Sequence, residues 1–230
     1  MIAGTLARLE APADDPLEPA STNGRMPALS VQSTQQDLDG DTAVQYGTAA
    51  GTVSATETDI SAIAEDGDVT IITEQFEGRE EHVTDWVADV TGTGLVCVES
   101  LGGGDELAFP LDLIYSQTGQ FPQRLTVDIE GLTAAWGLDD DQTWYVSRED
   151  DDGTALAYHD DADHPDGANI GLGFQRPYRN TGCRGVVYES GYVAVYSHWT
   201  EAVFMQFVAD EILPYCHAEE GQTTLGGGSA

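Results

Sequence analysis

The densest run of ionisable side chains is His159-Asp160-Asp161-Ala162-Asp163-His164-Pro165-Asp166. Carboxylates suit hard cations and imidazoles suit Zn²⁺, so His159, Asp161, Asp163 and His164 are the candidate metal ligands. Their spacing is not that of a calcium loop. Counted from Asp161, the fifth residue is Pro165, glycine arrives one place late at Gly167, and Leu172 stands where the bidentate Glu belongs. Neither histidine belongs to a His-x-x-x-His pair. Asp139-Asp140-Asp141 and Asp150-Asp151-Asp152 show that acidic loops are common background here, so a solvated loop also accounts for the segment.

Nucleophilic chemistry has one candidate pair. Cys183 lies between glycines in Gly182-Cys183-Arg184-Gly185, beside a guanidinium that would lower a thiol pKa, and His198 follows on the next hairpin as a possible base. A turn thiol without catalytic duty explains the same residues. Phosphate loops are missing: Gly102-Gly103-Gly104 runs into Asp105-Glu106 without a Lys, and Gly171-Leu172-Gly173 meets Arg176 where a dinucleotide fingerprint needs glycine. No Gly-x-Ser-x-Gly elbow occurs either. No cofactor is indicated by motif.

Positive charge is scarce, and it clusters. Arg176, Arg179 and Arg184 are three of only eight basic residues, and Phe174 and Tyr178 stand among them. Arginine with aromatics is the chemistry of protein interface anchors and of stacked bases. Phe174, Arg176, Tyr178, Arg179 and Arg184 are therefore the candidate binding residues. Strand alternation separates Arg176 from Arg179, so their convergence requires a break near Pro177. Structural arginines anchoring neighbouring carboxylates are the competing explanation.

The whole composition bears on partners as well. The chain has 41 Asp plus Glu against 8 basic residues, a formal net charge of −33, and every basic residue is Arg. A 230-residue sequence without Lys resembles the cytoplasmic proteins of haloarchaea in composition. Spread over roughly 10,000 Å² of folded surface, the net charges stand about 17 Å apart. Each pair repels by about 0.2 kcal/mol in water. The sum is a few kcal/mol at about 0.1 M salt and nearly vanishes at molar salt, where the screening length is ~3 Å. Halophilic adaptation is the expectation. The start lacks a charged and an apolar leader region, no apolar run reaches membrane-spanning length, and Cys97, Cys183 and Cys216 are odd in number and widely spaced. A soluble cytoplasmic protein with reduced thiols and no membrane contact follows.

The elements that position these residues read as α+β. Residues 1–10 offer a possible N-terminal strand, and 11–42, with four prolines and few large apolar residues, reads as a mobile acidic segment. The core domain is expected over 43–217 and a flexible tail over 218–230. Residues 69–76, 82–90 and 95–99 suggest a three-strand meander with a turn at Glu77-Gly78-Arg79-Glu80. Strands are also expected at 124–128, 143–148, 154–159, 170–178 and 186–198, the last divided at Glu189-Ser190-Gly191. Helices are expected at 111–118, after Asp128, and over 201–213 with Thr200 as cap. The fold expectation is a single domain, a largely antiparallel sheet of about seven to nine strands with a C-terminal helix on one face.

The functional expectation is a non-catalytic binding or interaction module with a protein partner. The alternatives are a metal-dependent or cysteine-based enzyme and, after that, a binder of single-stranded nucleic acid, which the charge of −33 opposes.

Overall fold

The computed structural model describes residues 1–22, 25–35, 43–65, 68–99, 104–138, 142–149, 155–159 and 169–219. Its strands are β1 (Ile2–Arg8), β2 (Ala20–Thr22), β3 (Arg25–Leu29), β4 (Gln32–Gln35), β5 (Ala43–Glu65), β6 (Asp68–Asp89) and β7 (Leu95–Val98). After these come β8 (Gln123–Val127), β9 (Thr143–Glu149), β10 (Ala155–His159), β11 (Gly171–Tyr178), β12 (Thr181–Tyr188), β13 (Tyr192–Val195) and β14 (Cys216–Ala218). The helices are α1 (Gly104–Thr118), α2 (Ile129–Trp136) and α3 (Glu201–Phe207). All strand pairings among the described residues are antiparallel. The spatial order is β10-β9-β11-β12-β13-β1-β7-β6-β5-β3-β2, with β4 against β5 and β8 joining β1 to β14. The fold is α+β, a largely antiparallel sheet with a C-terminal helix on one face, as the strand-rich pattern predicts.

Alternation along the strands fixes what each face buries. On one face Leu6, Leu172, Phe174, Val187, Val193 and Val195 meet Ile129 and Leu132 of α2 and Phe204 and Phe207 of α3. Phe174, Phe204 and Phe207 are fully buried, each contributing about 2–3 kcal/mol by area removed from water. The opposite face is covered over β7, β6 and β5, where Ala7, Trp86, Val96 and Val98 pack with Leu107, Leu111 and Ile114 of α1. Helices therefore lie on both faces, not on one.

The sequence expectations fail at three places, each for a physical reason. β6 runs unbroken through Glu77-Gly78-Arg79-Glu80, with Gly78 paired to Ala55. Glu77, Arg79, Glu80 and Glu81 are all exposed there, because a two-stranded ribbon wets both faces and a polar run need not be a turn. The sheet has fourteen strands among the described residues, partly because 11–42 contributes β2, β3 and β4. Leu17 and Leu29 are buried, and the Gln45 amide both accepts from the Leu17 N–H and donates to its carbonyl, so few apolar residues suffice to seat this stretch. α1 starts at Gly104 and contains Pro110, which removes one helical donor without ending the helix. The expected C-terminal helix over 201–213 is present, continuing from α3 as a π turn at Val208–Ile212 and a 3₁₀ turn at Leu213–Tyr215.

Other signals hold. Thr200 accepts from the Val203 N–H at the start of α3, and Asp128 accepts from Gly131 at the start of α2. No helix among the described residues is long and apolar enough to cross a membrane.

Candidate functional site

The sequence-predicted binding residues divide between the two faces. β11 and β12 form a tight hairpin whose turn is Arg179-Asn180, both at positive φ. That geometry matches a two-residue turn twisted like its strands. The strand does not break at Pro177, which pairs with Gly182 beyond the point where β9 stops pairing with β11. No ladder donor is needed on that side, so proline is tolerated.

Arg176 and Tyr178 fall on the helix-covered face with Phe174, while Arg179 reaches that side from the turn. Arg176 Nη1 donates to Glu211 Oε2 at 2.9 Å, and its guanidinium lies 4.6 Å from the centroid of Trp136. Arg179 Nη2 donates to Asp210 Oδ2 at 3.0 Å, an oxygen that also accepts the Tyr178 hydroxyl at 2.7 Å. Burial and then this bond hold the Tyr178 hydroxyl well above its usual titration range. Three of the five residues thus tie the hairpin to the turn after α3, and Phe174 lies in the core beneath Trp136.

Cys183 shares the helix-covered face and is 1% exposed. Burial pushes its thiol up to about 12, against which Arg176 lowers it only in part. The thiol is protonated at neutral pH, and no hydrogen bond among the described residues joins it to the exposed His198. Asp161, Asp163 and His164 lie outside the described residues, and His159 ends β10. Among the described residues no cluster of His, Cys, Asp and Glu has metal-binding geometry. An open cleft beside α3 collects Asp85, Glu99 and Glu201 with Tyr46 and Gln32.

Arg184 belongs to the other face, and there it meets a set of rings absent from the sequence prediction. Its guanidinium carbon lies 4.8 Å from the Trp144 centroid. From Trp144 the rings continue in both directions: Tyr196 at 6.0 Å and Tyr145 at 6.1 Å, then Tyr188 at 5.9 Å from Tyr145 and Tyr192 at 6.1 Å from Tyr188. Glycines make room for them. A Cβ on Gly171 would stand 2.7 Å from the Tyr188 ring, and one on Gly173 would stand 2.9 Å from the Trp144 ring. Trp144 Nε1 donates to the Phe174 carbonyl at 3.1 Å, and the Arg184 N–H donates to Ser197 Oγ at 3.2 Å, so ring and cation are both anchored. Burial, then a hydrogen bond with Tyr145, raises the Tyr188 pKa, and burial raises that of Tyr192.

Charge distinguishes this face from the rest of the molecule. The registers put Tyr145 and Ser147 of β9 on it, with Gly171, Gly173, Gln175 and Pro177 of β11. β12 adds Gly182, Arg184, Val186 and Tyr188, and Tyr192 and Ala194 of β13 continue to Ala3 and Thr5 of β1. None of these fourteen positions is acidic, although 41 of 230 residues are, a density that would place about two or three there. Tyr196 is 42% exposed, and no helix among the described residues packs over these rings. A surface of aromatic rings with one arginine, whose carboxylates stand only at its margins as Glu149 on β9 and Glu99 near Tyr192, can stack, accept an apolar contact and receive a hydrogen-bond acceptor.

Sequence reasoning missed Trp144, Tyr145, Tyr188, Tyr192 and Tyr196. The usable signal was parity across a turn: Tyr188 and Tyr192 flank Glu189-Ser190-Gly191, and Tyr196 lies four further on, so all three share a face. No family model matches this chain, and neither a curated protein nor a solved structure does, so the site is argued from its residues alone.

Proposed function

We propose that this protein is a non-catalytic binding module, and that its contact surface for a protein partner is the aromatic face around Arg184. The single supporting observation is that the fourteen central positions of that face hold no carboxylate in a chain of net charge −33, the nearest by register being Glu149 at its β9 edge. Elsewhere the protein spends its surface on hydrated acids; a face kept free of them escapes the cost of burying unpaired charge on contact. Tyr, Trp and Arg are the residues that anchor protein interfaces. A single-stranded nucleic acid is the weaker fit, because one arginine neutralises little phosphate charge and the overall field repels it.

The test is a photo-crosslinking amino acid at Tyr196, compared with the same group at Tyr115 of α1, in lysate at about 3 M KCl, where charge is screened. The expected result is one defined protein adduct at 196 and none at 115. Equal labelling at both positions, or an adduct with nucleic acid at 196, contradicts the proposal.

A further inference from the structure

We infer that the ion pair of Glu211 with Arg176, on the helix-covered side of the sheet, sets the positions of Trp144 and Arg184 on the aromatic side; this rests on reading that face as the contact surface. Glu211 and Arg176 are therefore positioning residues. The end of the β11–β12 hairpin has few other supports. β9 stops pairing with β11 at Phe174, and β13 pairs with β12 only over 185–187, so residues 175–178 and 181–184 have no third ladder strand among the described residues. A two-stranded ribbon is marginally stable by itself. On the β13 side the Arg184 carbonyl accepts the Tyr196 N–H at 2.8 Å, and the Ser197 hydroxyl donates to the Gly182 carbonyl at 3.0 Å. On the helix side Asp210 and Glu211, both carried by the π turn at Val208–Ile212, hold Arg176, Tyr178 and Arg179.

The link from one face to the other passes through Phe174. Arg176 lies over Trp136, Trp136 meets Phe174 edge-on with centroids 4.9 Å apart, and Phe174 stacks on Phe207 at 5.8 Å. The Phe174 side chain is fully buried, so in a close-packed interior its backbone moves only with these rings. Trp144 is attached to that backbone. The register between β9 and β11 shifts from Gly173↔Tyr145 to Phe174↔Thr143, which leaves Trp144 as the extra, unpaired residue of a bulge. A bulge re-aims a side chain. Simple alternation would place Trp144 with Val146 in the core; instead its Nε1 donates to the Phe174 carbonyl at 3.1 Å and its ring meets the Arg184 guanidinium. With no ladder pair of its own, Trp144 takes its orientation from that hydrogen bond. Arg184 stands one pair further along the hairpin, at Gln175↔Arg184, next to Arg176↔Cys183. Glu211, Arg176, Trp136, Phe174, Trp144 and Arg184 thus form one contiguous set of contacts through the sheet, the physical condition for the pair on one side to be felt on the other.

The test reads the indole N–H signals of the four tryptophans by NMR on the full chain at about 3 M KCl, with Trp144 and Trp86 assigned from Trp144→Phe and Trp86→Phe. A native-state signal reports the local hydrogen bond, not the unfolding free energy. Glu211→Ala is expected to move the Trp144 signal upfield as its bond to the Phe174 carbonyl weakens, and to lower the adduct yield of a photo-crosslinking residue at 196 several-fold. Trp86, in the separate core beneath α1, is expected to stay in place. Glu211→Gln, whose amide oxygen still accepts from Arg176, is expected to keep both readouts near wild type. Should Glu211→Ala fail to fold, Arg176→Gln reads the same link from its other end, with the same expected displacement. A Trp144 signal that stays in place, movement of Trp86 together with Trp144, no rescue by Glu211→Gln, or a displaced Trp144 with an undiminished adduct at 196 overturns the inference. A displaced Trp144 in a protein whose wild type gives no adduct at 196 removes the contact surface alone and leaves the positioning of Trp144 standing.

Discussion

Arg176 and Arg179 are three residues apart and carry the same charge, but their surroundings give them different weights. The Arg176 side chain is 21% exposed, pairs with Glu211 and covers Trp136. Arg179 is 38% exposed and pairs with a carboxylate that is 41% exposed. Solvent screens the second pair more, and surface ion pairs contribute about 0–1 kcal/mol. The first adds a close cation–π contact with Trp136 at 4.6 Å, about 0.5–2 kcal/mol, whereas the exposed Arg179 meets the Tyr178 ring only at 5.6 Å. Arg176→Gln is therefore expected to lower unfolding free energy by about 1–2 kcal/mol, and Arg179→Gln by less than about 0.5 kcal/mol. Urea unfolding at constant high salt measures both. Equal effects would mean that the Trp136 contact contributes nothing. Arg184 is exposed but stacks 4.8 Å from the Trp144 centroid, so Arg184→Gln is expected to cost about 0.5–1 kcal/mol, and it differs from Arg179→Gln in touching the proposed contact surface.

At the scale of elements, the aromatic layer depends on β11 being glycine where rings cross it. A Cβ on Gly173 would stand 2.6 Å from Tyr145 Cβ, whereas one on Gly182 meets nothing within 4 Å. Gly173→Ala is expected to cost about 1–3 kcal/mol as a buried overpacking change, and Gly182→Ala to be near neutral, again by urea unfolding. A silent Gly173→Ala would show that the rings shift freely. These contacts mark the limit of what the sequence made legible. β9, β11 and β13 were readable because β-branched residues, glycines and the Glu189-Ser190-Gly191 turn bound them, and Thr200 and Asp128 signalled α3 and α2; β12 starts at Thr181 instead of 186, so Cys183, expected in a turn, lies in the strand. The long β6 was not, since its polar middle looks like a turn until its partner strand is known. Nor was the side of Arg176, because whether an arginine anchors the fold or meets a partner depends on Glu211, thirty-five residues away in the chain. Pairing across the sheet also brought Trp144 beside Tyr196, fifty-two positions on in the sequence.

At the scale of the whole molecule, charge and shape act together. The accessible surface is 13473 Å², above the ~10,000 Å² expected of a compact chain this size. Over that area the 33 net charges average about 20 Å apart, so repulsion between copies or partners is spread broadly and is suppressed only in concentrated salt. A face without carboxylates is where contact costs least. The most direct measurement is carbene footprinting of Tyr196 in intact cells against the purified protein at high dilution and matched salt, with Tyr115 as reference, because both rings are exposed in the single chain, at 42% and 49%. Contact through the aromatic face predicts that labelling of Tyr196 falls several-fold in cells while Tyr115 stays unchanged. Labelling of Tyr196 at the same level in both settings would contradict it.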